Sequence, residues 1–487
     1  MKKTIVLSAL ASLVVSVYAA DSSFQAQIDE LKSKIEALQK AQNEQMSKQQ
    51  TAQVGKQEIA RVDELEERID KVETASMVNK INWGVDFRTR VDSFKRTTAD
   101  GIKSSNNDVW SNRLRLNMSS VITDDMKFTG RVVMYKNWAD DGSGFTYSGM
   151  DPMQGRRPSD SSVFVDRAYV DWTVLKGNVP VALTIGRQPS SDGPSHQFKD
   201  NTVRKSTYSA LSFDGGADGV VATVGLSKIT SIPDMALRFG YGKGYQQNTG
   251  ASYVGASGGI ADTKVVGAFL DAGLGIAGSL VQVSAVKATD VVSNSNVQGQ
   301  NKNIGDVSLY TAMVEFTNLA DTNLDLFAHY AISVSKPNGT LSQFDINGDG
   351  VADTGYDVGL LTSTFGDTSD KKGHAFWMGG RYTFSSEMLN NPRIGLEYNH
   401  GSQNWFSFTQ GSNDVTNKLA TRGDAIEAYY IQPINRYAYL RTGAQFIDYD
   451  YSGSGMQIGA PTVLTSPGYG SQLDKLKNYY LLFNVSY

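Results

Sequence analysis

From Ile81 onward the side chains alternate with a period of two, and no other feature of the chain constrains its fold as strongly. In Ile81-Asn82-Trp83-Gly84-Val85-Asp86-Phe87-Arg88-Thr89-Arg90-Val91-Asp92 the odd positions are mostly apolar and the even ones polar or glycine. Between Trp110 and Ile122 the apolar set (Trp110, Leu114, Leu116, Met118, Ile122) is even, set against Ser111, Arg113, Arg115, Asn117 and Ser119. Residues 164–174, 324–334, 374–384 and 438–446 repeat the pattern. A period of two belongs to strands whose two faces meet different surroundings. One face here is apolar, and the other is too polar for a protein core. Strands of soluble sandwiches run about five or six residues. Several here are longer than ten, and a tilted membrane strand needs about nine to eleven.

The alternation predicts strands over 80–94, 109–122, 126–138, 161–175, 179–187, 218–228, 235–243, 263–272, 277–289, 305–318, 322–335, 373–385, 392–401, 423–433, 436–450 and 475–487. Their connections alternate in length. Residues 123–125, 176–178, 229–234 and 433–435 are short turns, and 139–160, 188–217, 244–262, 336–372 and 451–474 are long. Short turns on one side and long loops on the other are the asymmetry of membrane barrels, and an even count returns both chain ends to the short-turn side. The expected fold class is all-β, a transmembrane antiparallel β-barrel of about 16 strands, with 14 or 18 left open. Trp83, Trp110, Trp138 and Trp172 fall on the apolar face near expected strand ends, where amphipathic indoles collect at membrane interfaces.

Composition agrees once it is read this way. A mean hydropathy of −0.31 excludes a bundle of membrane helices, and no segment approaches the roughly 20 apolar residues such a helix needs. It does not exclude a barrel, whose wet inner face and polar loops dilute the average. The absence of cysteine rules out disulfides, thiolate metal sites, a cysteine nucleophile and a lipid-anchored lipoprotein. A net charge of −4 gives no basic field for nucleic acid.

Two segments precede the alternating body. Lys2 and Lys3, the uncharged run from Thr4 to Val17, and Val17-Tyr18-Ala19 have the form of a secretory signal over residues 1–20, with cleavage expected after Ala19 or Ala20. Residues 21–79 are expected to form an interrupted α-helical coiled coil in the periplasm. Phe24, Ile28, Leu31, Ile35 and Leu38 make a heptad seam, which Val62, Leu65, Ile69 and Val72 continue in a shifted phase. Glu30/Lys34, Glu36/Lys40, Glu64/Arg68 and Glu67/Lys71 are acid-first helical pairs. The seam chemistry favours two strands and a barrel above it favours three. Residues 80–487 form the barrel.

The last strand sets Tyr479, Leu481, Phe483, Val485 and Tyr487 against Tyr480, Leu482, Asn484 and Ser486. It resembles the C-terminal signature of bacterial outer-membrane proteins, which implies insertion by the outer-membrane assembly machinery. With the strand series before it, the chain resembles a bacterial general porin. Asn112-Arg113-Leu114-Arg115-Leu116, Asp166-Arg167-Ala168-Tyr169-Val170-Asp171-Trp172 and Ile185-Gly186-Arg187-Gln188-Pro189-Ser190-Ser191-Asp192-Gly193-Pro194 also resemble porin-like outer-membrane proteins of epsilonproteobacteria. The resemblance covers mainly residues 80–245 and the final strand. It implies outer-membrane lipid as surroundings and a homo-oligomer, with a trimer favoured over a dimer.

Strand parity assigns Arg88, Arg90, Arg113, Arg115, Arg131, Arg167, Arg381, Arg393 and Arg441 to the lumen, with Asp86, Asp92, Asp171 and Glu397. An arginine turned to lipid costs about 2–4 kcal/mol at the midplane, so alternation drives these side chains inward. They line a pore that sets ion selectivity, or they form a salt-bridge ladder that stiffens its wall. By analogy with porins, the loop 188–217 is expected to narrow the channel with Asp192, His196, Lys199, Asp200, Arg204 and Lys205.

Asp345-Ile346-Asn347-Gly348-Asp349-Gly350-Val351-Ala352-Asp353 resembles a calcium loop, with Asp345, Asn347, Asp349, the Val351 carbonyl and Asp353 as ligands. It lacks the closing Glu, since the twelfth position is Tyr356. An acidic glycine-rich turn is the alternative, and no other cofactor is expected. Gly255-Ala256-Ser257-Gly258-Gly259 and Gly273-Leu274-Gly275-Ile276-Ala277-Gly278 match a hydrolase elbow and a dinucleotide fingerprint in form but lack the strand-to-helix context. No enzyme activity is expected. The expected function is passive diffusion of ions and small hydrophilic solutes, against a substrate-specific channel or an adhesive protein tethering the envelope through its coiled coil.

Overall fold

The computed structural model describes residues 20–46, 81–137, 162–189, 192–205, 207–245, 260–293, 301–343, 348–353, 357–361, 367–409, 415–455, 461–466 and 470–487, with a few single positions between. The expected signal core and the second half of the helical seam lie outside these residues, as does Trp138. The chain divides into two units at Asn82.

In the first unit, α1 (Ala20–Met46) is a helix of 27 residues. Leu31, Ile35 and Leu38 are the seam positions withdrawn from solvent, while most of their neighbours between 31 and 40 are exposed. Lys34 pairs with Glu30 one turn away, as the acid-first spacing requires. No helix among the described residues is long and apolar enough to cross a membrane.

The second unit is a closed antiparallel barrel of sixteen strands joined in sequence order. They are β1 (Asn82–Thr98), β2 (Lys103–Thr123), β3 (Met126–Asn137), β4 (Ser162–Leu175), β5 (Val181–Gln188), β6 (Ala217–Gly225), β7 (Ala236–Tyr245) and β8 (Thr263–Ala272). The other half comprises β9 (Ser279–Val292), β10 (Asn303–Phe316), β11 (Leu324–Pro337), β12 (Lys371–Thr383), β13 (Arg393–Gly401), β14 (Gly423–Pro433), β15 (Ala438–Tyr449) and β16 (Leu473–Ser486). All sixteen predicted segments are strands. Closure is by β1 against β16, in register from Asp86↔Ser486. Val85 and Tyr487 exchange backbone hydrogen bonds of 3.0 and 2.8 Å, so the last residue seals the seam. A closed sheet leaves no unpaired edge.

Apolar side chains cover the outer face. Trp83, Val85, Leu116, Val163, Trp172, Ile185, Phe239, Tyr310, Leu396, Tyr479 and Leu481 are exposed, alternating with buried arginines and other polar groups within. Two expectations need correction. The connection between β1 and β2 is a tight turn rather than a long loop. Asp100 and Gly101 make it, with Gly101 at φ 84° and the Thr98 amide donating to the Ile102 carbonyl at 3.0 Å, which is aspartate–glycine hairpin chemistry. Both strands therefore extend further, and Trp110 sits well inside β2 rather than near its end.

The second correction concerns the inner face, which is not uniformly polar. Over β8–β12 it carries Phe269, Val286, Leu309, Phe327, Ala331, Ala375 and Trp377, all buried with Phe198, Leu211, Trp405 and Leu419. Phe198 and Leu211 come from the 189–216 segment, and Trp405 and Leu419 from residues 402–422. Both segments fold into the barrel and are bridged by a short parallel pairing of Phe213–Asp214 with Phe408–Thr409. The interior is thus a packed core above all over β10–β12, and a cavity of about 480 Å³ lies between the inserted segments and β5–β9.

Candidate functional site

The inserted 189–216 segment turns inward at Asp192-Gly193-Pro194-Ser195. Asp192 and Ser195 adopt the left-handed region, at φ 62° and 77°. At Gly193 an added Cβ would lie 2.0 Å from the Tyr208 carbonyl oxygen, so only glycine permits the two strands of the loop to approach. One helical turn, His196–Asp200, then crosses the barrel interior.

Each part of the segment is tied to a different stretch of wall. Ser195 donates to Glu315 at 2.9 Å and lies 2.9 Å from His329 Nε2, whose Nδ1 is 2.7 Å from the Ser209 hydroxyl. Gln197 donates to Glu315 at 3.0 Å, and Arg204 reaches the same carboxylate at 3.3 Å. Lys199 pairs with Glu427 at 3.1 Å. Lys418, from the second inserted segment, pairs with Glu397 at 2.5 Å and with Glu427. The Tyr480 hydroxyl donates to Glu427 at 2.7 Å, and the Trp377 indole donates to Glu397 at 3.0 Å. Arg381 pairs with Asp325 at 2.7 Å and donates to the Phe198 carbonyl at 2.8 Å. On β8–β14, then, wall carboxylates are matched by cations, many of them carried in by the loops.

The opposite arc, from β15 through β16 to β4, is cationic. Arg441, Arg88, Arg113, Arg115, Arg131 and Arg167 follow one another around it and are all buried. Asp192 stands before them and is shared by Arg167 at 2.7 Å, Arg131 at 3.1 Å and Arg115 at 3.8 Å. Burial alone would push this carboxyl up, but the three guanidiniums hold it well below the usual carboxylate range. Arg113 pairs with Asp86 at 2.8 Å, Arg441 with Asp200 at 2.9 Å, and Arg131 also with Asp166. Arg90 pairs with Asp92 and lies 4.4 Å over the Tyr480 ring. A second cavity, of about 320 Å³, is bounded by this arc on one side and by Asp192, His196, Asp200 and Lys205 on the other.

Most of the predicted residues therefore meet. Arg88, Arg113, Arg115, Arg131 and Arg441 line one cavity with Asp86, Asp192, His196, Asp200 and Lys205, and Arg167 adjoins it through Asp192. Others stand apart. Asp171 accepts from Thr184 at 2.6 Å, Arg204 faces Glu315, and Lys199, Arg381 and Glu397 serve the packed core. Arg393 lies on the inner face of β13.

Sequence reasoning missed Asp166, which alternation assigns outward. A register shift between Arg131 and Val132 against β4 lets Asp166 and Arg167 both reach inside, as a β-bulge does. It also missed Glu315, His329, Lys418 and Glu427, whose partners lie far along the chain.

In the 345–353 turn, Asp345 accepts the amides of Gly348 at 2.6 Å and Gly350 at 2.7 Å. Asp349 accepts that of Val351 at 2.8 Å. These bonds build an aspartate-capped turn. Asn347 lies outside the described residues, and among those described no group of three acidic or histidine side chains gathers to hold a metal.

Solved structures similar to the chain include Salmonella typhi OmpF in complex with daunomycin, at 12% identity and TM-score 0.44 over 83% of this chain and 97% of that one. Pseudomonas putida OprB at high pH matches at 12% identity and TM-score 0.46, over 85% and 96%. The in-vitro folded trimer form of Vibrio cholerae OmpT matches at 12% and 0.38, over 83% and 99%. No curated protein sequence matches the chain. A family model covers residues 103–487, from β2 to the last residue of the barrel, and the chain belongs to that family, "Protein of unknown function (DUF3373)".

Proposed function

We propose that the protein is an outer-membrane channel for passive diffusion of ions and small hydrophilic solutes, and that it prefers anions. A closed sheet with an apolar outer face and charged inner groups suits a lipid bilayer, because its strand ladders satisfy the backbone within the barrel. The observation that carries the reading is the charge around the second cavity. Six arginines and Lys205 face Asp86, Asp166, Asp192 and Asp200 among the described residues, an excess of positive charge. Charged side chains at a constriction select ions of opposite sign. The inserted loop 189–216 is the constriction in this reading, and α1 lies in the periplasm as part of a coiled coil. The terminal strand directs insertion by the assembly machinery, and copies associate, with three favoured over two.

One observation favours a second reading, a substrate-specific channel. Two inserted segments fill part of the barrel with packed side chains, which leaves less room than unselective diffusion uses. Purified protein in a planar bilayer tests the main reading. Stable steps and a reversal potential on the anion side across a potassium chloride gradient are expected. Folded protein that never conducts, or that prefers potassium, overturns it.

A further inference from the structure

Arg88 differs from every other arginine of the cationic arc. It is only 8% exposed, yet it makes no hydrogen bond or ion pair with any described residue. Its neighbours on the same inner face are Arg90, Arg113, Arg115 and Arg441, which repel it. Asp86, Asp192 and Asp200, the carboxylates nearest the cavity, are engaged by Arg113, by Arg115 with Arg131 and Arg167, and by Arg441. A buried guanidinium left without an anion is costly, because it forgoes hydration without gaining a partner. The Arg88 side chain borders the 320 Å³ cavity, and so does Lys205 from the inserted loop. Lys205 is exposed on the loop, and Arg167, Arg131 and Arg115 repel its ammonium against the pull of Asp192, a repulsion that an anion beside it would relieve. The cavity has roughly ten times the volume of one water in the liquid, room for a compact anion that keeps part of its hydration.

We infer that this cavity is a saturable binding site for a compact, multiply charged oxyanion, held by the fork of Arg88, with Lys205 adding positive charge to the cavity's loop side. The inference rests on the anion-preferring channel reading and goes beyond it. General preference needs only the summed field, whereas a built site needs the guanidinium geometry, in which two parallel N–H groups match two oxygens.

Inorganic phosphate is the probe, at constant ionic strength in potassium chloride. Wild-type channels are expected to show a chloride current that phosphate reduces along a saturating curve. Arg88→Lys keeps the charge and loses the fork, so phosphate block should weaken roughly tenfold or more. Block that rises linearly without saturating, or that is equal in wild type and Arg88→Lys, overturns the inference and leaves the channel reading intact. Loss of anion preference in the wild type instead strikes the channel reading. Isothermal titration of phosphate into the folded full-length protein in detergent decides the matter without conductance. One saturable site weakened in Arg88→Lys supports the inference, and absence of binding in the wild type refutes it.

Discussion

Replacing Asp192 by Asn isolates the charge that masks the arginine arc. The side chain is nearly isosteric, the hydrogen bond that the backbone N–H of residue 192 donates to Asp214 at 3.1 Å can persist, and Asn tolerates the φ of 62° better than most residues. What disappears is one negative charge shared by Arg167, Arg131 and Arg115. A permeating ion ~6 Å away feels that charge by about 0.7 kcal/mol at the dielectric of water. With a Debye length of ~10 Å at 0.1 M salt roughly half survives, and at 1 M, where the length is ~3 Å, about a seventh. Half of 0.7 kcal/mol favours chloride about twofold and disfavours potassium equally, so the permeability ratio should rise roughly threefold at ~0.1 M. At 1 M it should barely move, and a lumen less polarisable than water enlarges the low-salt effect. Reversal potentials at the two salt levels measure both numbers. A ratio unchanged or lowered at 0.1 M, or raised equally at 1 M, would refute the electrostatic account of the arc.

Three further outcomes follow from the packed core. Glu427→Gln removes the carboxylate that Lys199 and Lys418 share, leaving Lys418 to Glu397, and breaking a buried ion pair from one side costs about 3–5 kcal/mol. The inserted segments should loosen, seen as larger single-channel steps and a lower urea midpoint. Trp377, fully buried between Phe327 and His329, should cost about 3–5 kcal/mol when truncated to Ala; the temperature at which gel mobility changes on heating reads this, and an unchanged temperature would contradict a packed core. The third concerns pH. Burial and Lys199 push His196 down, but Asp214 at 3.6 Å prevails and the group sits above its ordinary range. A raised folded value means that its stabilisation is complete below the unfolded value of about 6.5 and is lost as pH rises through the folded one. Proteolysis of the 189–216 segment should therefore increase on the alkaline side in wild type and not in His196→Gln.

The strand series was legible because an apolar outer face and a charged inner one imprint a period of two on each segment. Its failures have local causes. The bulge at Asp166 adds a residue that alternation cannot anticipate. Along β12 the inward Trp377 looks like any outward indole, since apolarity on both faces erases the distinction. The arginines of the site could be assigned by parity alone, and all of them do face inward. Their grouping could not, because it depends on where a loop folds. Nothing around Lys418 or Glu427 marks them as partners, since the contact joins a loop to a wall through the fold rather than along the chain.

The ties of the inserted segment also order events in time. Ser195 meets His329 across 134 positions, Lys199 meets Glu427 across 228, and Lys199 meets Arg441 across 242. Closing such long intervals is entropically slow, and each needs wall strands that lie far along the chain from β5 and β6. The inserted segment is therefore the last part of the barrel to settle. A barrel caught just before that step would have its sheet closed and its interior unfilled.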